Sequence, residues 1–135
     1  MYRTILLSLV LFIACDNPSD KGESLSDQIV GWWYNSAIHG NPISQLTTSE
    51  VTCFESSGAF TLFENDGDTV WVVPAIWTMQ GNKLILKYDV SSIDTFALSI
   101  SGNSASLFNS IDTMSISKWT GAKPPWPNLP HVTQY

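Results

Sequence analysis

Between Ile29 and Trp119 short runs rich in Val, Ile, Thr and aromatic residues recur about every ten residues, separated by turn clusters, which is the punctuation of β structure. The links Ser56-Ser57-Gly58, Asn65-Asp66-Gly67-Asp68, Gly81-Asn82 and Gly102-Asn103 all carry residues that tolerate positive φ, as tight antiparallel hairpins require. The pattern predicts strands at Ile29–Ala37, Val51–Glu55, Ala59–Glu64, Thr69–Met79, Lys83–Asp89, Thr95–Ser101, Ser104–Asn109 and Thr113–Trp119. Parallel neighbours need a crossover of a dozen residues or more, and only Ile38–Glu50 is long enough to supply one. An all-β, up-and-down antiparallel meander is the architecture this spacing allows.

Alternation within the strands sets the inside. Leu84, Leu86 and Tyr88 oppose a face capped by Lys83 and Lys87, and Phe96, Leu98 and Ile100 oppose Thr95, Ala97 and Ser99. One face is therefore wet. Ala105 and Leu107, then Met114 and Ile116, continue the apolar side. An eight-stranded meander of this kind has two unpaired edges, and closing into a barrel removes both. Such a barrel is filled by its own side chains or holds one small ligand. Strands this short favour a filled core with a shallow open mouth over a deep cavity.

The flanks divide the chain into an expected signal peptide (1–14), a lipidated cysteine with a flexible tether (15–28), the barrel (29–119) and a Pro-rich tail (120–135). The apolar run Thr4–Ile13 follows one positive charge, Arg3, and ends at Asp16-Asn17-Pro18. It falls short of the roughly twenty residues that a membrane-spanning helix needs. Phe12-Ile13-Ala14-Cys15 resembles the lipobox of bacterial lipoproteins, with Phe12 where leucine is commoner. That resemblance implies cleavage before Cys15, acylation of its thiol and of the new amino terminus, and attachment to a membrane of the bacterial cell envelope. The outer membrane is expected ahead of the inner, although Asp16 directly after the cysteine is an inner-membrane retention signal in some bacteria. The polar run Asp16–Asp27 has almost nothing to bury and reads as a tether.

Charge and rare residues exclude several functions. The chain carries 12 acidic and 6 basic residues, and no basic patch is left to meet the phosphates of a nucleic acid. With Cys15 lipidated, Cys53 is the one remaining thiol, which rules out a disulfide framework and makes Cys53 a small buried apolar residue. The two histidines, His39 and His131, sit in Gly- and Pro-rich stretches, poor settings for a rigid catalytic base. Glu64, Asp66 and Asp68 crowd one turn and lack the ligand ladder and terminal glutamate of a calcium-binding loop. No catalytic residue, cofactor or metal is expected, and the chain is expected to be a monomer.

Gly31-Trp32-Trp33 is similar to the Gly-x-Trp signature on the first strand of lipocalins, and Phe54–Phe60 followed by Trp77–Leu84 resembles the short lipocalin-like domains of bacterial lipoproteins. Lipocalins set a basic residue of the last strand against the signature tryptophan; Lys118 is the candidate here, in place of the usual arginine. Gly31–Asn35 also resembles the opening strand of avidin-like proteins, where the Asn and Tyr region serves biotin, but nothing later in the chain supports that. The lipocalin resemblance implies non-covalent binding of a small hydrophobic ligand. Aromatic residues are the candidate pocket lining: Trp33, Tyr34, Phe54 and Phe60 in the first half, then Trp71, Trp77 and Phe96. The alternative is a solid-core surface adhesion or assembly module, with a hydrolase a distant third. The four prolines of the tail forbid helix and central strand, while Trp126 and Leu129 give it something to pack, across the barrel or onto a partner.

Overall fold

The computed structural model describes residues 23–121 and 126–134; the expected signal, Cys15 and the first part of the tether lie outside them. In chain order the elements are a short helix α1 (Leu25–Ile29) and strands β1 (Gly31–Asn35), β2 (Ala37–Ile38), β3 (Asn41–Pro42), β4 (Glu50–Phe54), β5 (Ala59–Asn65) and β6 (Val70–Gln80). They continue with β7 (Lys83–Lys87), β8 (Ile93–Ser101), β9 (Ser104–Phe108), β10 (Thr113–Lys118) and β11 (His131–Thr133). Strands β1 and β4 to β10 each pair antiparallel with the next, and β10 returns to β1. The result is a closed eight-stranded up-and-down barrel, compatible with a lipocalin-like fold. The hairpin β2–β3 stands apart as its own two-stranded sheet.

The register places the apolar stripes inside. Phe54 faces Phe60, Leu84 faces Phe96 and Leu98 faces Leu107 across neighbouring strands. With Trp33, Trp77 and Ile116 these form one core, in which Trp33 and Leu84 have no exposed surface. Burying such a side chain contributes about 1.5–3 kcal/mol, so the stripes drive closure.

One end of the barrel is sealed by α1. Ser24 caps the helix, its Oγ accepting from Asp27 N at 3.2 Å and its carbonyl from Gln28 N at 2.9 Å, and Ile29 is fully buried beneath it. The last four residues read as tether, Leu25 to Gln28, thus belong to this cap. Trp33 Nε1 donates to Ile29 O at 2.7 Å, and Lys118, its register partner on β10, holds Nζ 4.1 Å from the Trp33 ring centroid. Lys118 Nζ also donates to Gln28 O and Val30 O, both at 3.2 Å. Gly31 has φ +129°, and a Cβ there would come within 3.4 Å of that ammonium. Glycine satisfies both the backbone conformation and the close approach.

Strand β6 is longer than its partner β7, which reaches it only over Ile76–Gln80. The freed edge at Val70–Val72 is taken by β11, which pairs parallel to it. Val70 N donates to Pro130 O at 2.8 Å and Gln134 N to Val72 O at 2.9 Å. The described end of the tail therefore lies on the barrel wall, with His131 edge-on to Phe63 at 6.3 Å.

Candidate functional site

The inward stripes change character along the barrel. From the sealed end, Phe54 leads to Thr52 and Glu50 on β4, Phe60 to Leu62 and Glu64 on β5, Leu86 to Tyr88 after β7, and Phe96 to Asp94 on β8. These residues line a cavity of about 230 Å³ at the end opposite α1. Leu107, Met114 and Ile116 complete its apolar wall, and Asn35 at the end of β1 adds a polar group. The interior is packed at one end and open at the other.

Of the aromatic candidates, Phe54, Phe60 and Phe96 line this cavity, and the other four do not. Trp33 is buried at the sealed end by its hydrogen bond to Ile29 and by Lys118. Trp77 is packed edge-on to Phe54 at 5.8 Å, with Nε1 donating to Glu55 O at 2.8 Å. Tyr34 faces outward, edge-on to Trp119 at 6.5 Å. Trp71 is drawn to the β5–β6 turn, where Nε1 donates to Asp66 Oδ2 at 2.8 Å. An indole N–H needs a partner when buried, and for Trp33 and Trp77 that partner is a backbone carbonyl of the scaffold.

The acids at the mouth were hidden by distance in sequence. Glu50 and Glu64 are direct register partners across β4 and β5, an unfavourable like-charge pair. Burial, followed by the charge of Glu50, pushes the Glu64 carboxyl above its ordinary range. Burial, then Asp94 and Glu64, pushes the Tyr88 hydroxyl up as well, so Tyr88 stays protonated and able to donate. Asn35 Nδ2 donates to Glu50 Oε2 at 3.1 Å. Thr52 Oγ1 is shielded from solvent and has no hydrogen-bond partner. A period of two, continued outward from each apolar stripe, would have found the five polar positions Thr52, Glu50, Glu64, Tyr88 and Asp94.

The chain matches no family model and no curated protein. The geometry itself therefore carries the functional argument. Asp66, in the acidic turn, bonds Trp71 and the N–H groups of Thr69 and Asp68, which holds its carboxyl below the ordinary range. That turn is a local cap on the hairpin. His39 sits exposed at the tip of the β2–β3 hairpin, and His131 lies on the outer wall. The fold places neither histidine among the cavity-lining residues.

Proposed function

We propose that this is a lipid-anchored lipoprotein of the bacterial envelope whose barrel binds one small, largely apolar molecule without covalent chemistry. The observation that supports this is the cavity of about 230 Å³, walled by Phe54, Phe60 and Phe96 and open at one end. Ligand sites are concave and mostly apolar, with a few convergent polar groups. An apolar cavity of about 150 Å³ takes up benzene, so this one suits a body of one or two rings or a short chain. A tetrapyrrole or a long acyl chain would exceed it. A solid-core adhesion module would need the interior filled, which makes it the weaker account.

The anchor rests on Ala14-Cys15 closing an apolar run. The described chain begins at the sealed end, so an anchor upstream of α1 would join the barrel at the end opposite the mouth. Two experiments test the two halves separately. Cys15→Ser should abolish fatty-acid labelling and release the protein from the membrane fraction; a variant that still labels and sediments with membranes refutes the anchor. A neutral naphthylamine dye should show saturable fluorescence enhancement, competed by small aromatic alcohols, and absence of saturable binding refutes the pocket.

A further inference from the structure

Resting on that binding reading, we infer that the cavity selects a small amine in its protonated form, with the hydrocarbon body among Phe54, Phe60 and Phe96 and the ammonium at the mouth among Glu50, Glu64 and Asp94. Among the described residues, the lining holds three carboxylates and no Lys, Arg or His. Around the mouth, β1 contributes Asn35, β4 Glu50, β5 Glu64, the end of β7 Tyr88, β8 Asp94, and β10 the apolar Met114. Among the described residues that line the cavity, none offsets the negative charge.

Acids on a solvated outer face need no explanation, but these stand on the inward stripes. Glu50 and Glu64 face each other in register, and their repulsion is relieved when a cation settles between or beside them. A metal ion is a poor candidate, since among the described residues no three His, Cys, Asp or Glu side chains converge closely enough to hold one. A spread acidic rim over an aromatic floor instead fits an ammonium carried on an apolar body. The rings below take the hydrocarbon body, and Tyr88 offers a hydroxyl that both donates and accepts. The same field repels carboxylates, so fatty acids and other organic anions are disfavoured.

The test is calorimetric titration of the full chain in nanodiscs of zwitterionic lipid, with empty discs as blank, using phenethylamine, phenethyl alcohol and phenylacetate at neutral pH. The three share a ring and differ in charge. Phenethylamine should bind about tenfold tighter than the alcohol or better, as expected for a charge-assisted hydrogen bond, and phenylacetate should bind weakest. Glu64→Gln should remove most of the amine's advantage over the alcohol. The variant should melt no lower than the parent, because it removes a repulsion; if it does melt lower, Asp94→Asn serves as the second variant with the same expectation. Amine affinity should also fall on acidification through the carboxylate range, where the amine itself keeps its charge. Equal affinities for amine and alcohol, or tighter phenylacetate binding, would overturn the charge selection and leave the pocket standing. Failure of all three to bind would overturn both.

Discussion

Replacing Lys118 by Met keeps an unbranched side chain, one atom shorter, and removes its charge and its donors. In the parent, Nζ lies 4.1 Å from the Trp33 ring centroid and donates to Gln28 O and Val30 O, tying β10 to the α1 cap. Hydrogen bonds from a charged donor are worth about 1.5–3 kcal/mol each, and the ammonium over the indole about 0.5–2 kcal/mol. Rehydration of the ammonium in the unfolded chain offsets much of that sum, leaving an expected loss of about 2–4 kcal/mol. At roughly 4 °C per kcal/mol for a domain near a hundred residues, the melting temperature should fall by about 8–16 °C. Thermal and urea denaturation followed by far-ultraviolet circular dichroism measure it. Lys118→Arg, which keeps the charge, should recover most of the loss. Ligand binding at the opposite end should be unchanged once the variant is folded. If Lys118→Met lies within about 0.5 kcal/mol of the parent, the sealed end is held by apolar packing alone and the argument from Lys118 fails.

Leu84→Ala, at a fully buried position, should lose about 2–5 kcal/mol, whereas Ile85→Ala on the outer face should lose clearly less; equal losses would mean that both faces of β7 are covered. Truncation after Gly121 removes β11 and uncovers Val70, so stability should drop by about 2–4 kcal/mol and the Val70 amide, which donates to Pro130 O, should exchange with deuterium much faster. Unchanged exchange at Val70 would show that β11 does not pair in solution. Glu64 has its pKa raised by burial and by Glu50 above the ordinary 4.5. The native state therefore binds its proton more tightly than the unfolded state, and this contribution is complete below 4.5 and lost as pH rises through the native value. Glu64→Gln should accordingly melt above the parent at neutral pH, with the gap closing on acidification; a gap that widens in acid contradicts the sign.

The eight barrel strands were legible because each inward stripe is a clean period of two bounded by turn residues, and a mostly local meander leaves little choice of partner. Lys118 could be matched to Trp33 because the family resemblance supplied the pairing. Three features were harder. Helix α1 is one turn long, and its signals were a capping Ser24 with Asp27 three residues on, easily read as polar linker. Strand β11 exists because β7 is too short to cover β6, a mismatch that shows only once the register is known. The mouth is assembled from residues as far apart as Asn35 and Met114, and the candidate tryptophans Trp33, Trp71 and Trp77 do not line the cavity. Tryptophan carries an N–H that the scaffold uses as a pin, while the phenylalanines, with nothing to bond, are left facing the void.

Where the chain forgoes stability is informative in itself. At the sealed end the indole N–H groups of Trp33 and Trp77 find carbonyls, Lys118 caps two more, and Ile29 fills the space below α1. At the mouth the arrangement reverses: Glu50 opposes Glu64, Thr52 Oγ1 is shielded without a partner, and Phe54, Phe60 and Phe96 border empty volume. One further orphan, Trp119 Nε1, is buried beside Tyr34, apart from this group. Apolar replacements at Glu64 or Thr52 and a larger residue at Met114 would each relieve one of the mouth's penalties, so physical chemistry does not oblige the barrel to keep them. Local violations gathered at one place, in a fold otherwise consistent from turn to core, are characteristic of a site kept for something other than stability. The acids border the same cavity of about 230 Å³ as the rings, and a protonated amine is a single occupant whose body fills the void and whose charge answers the acids.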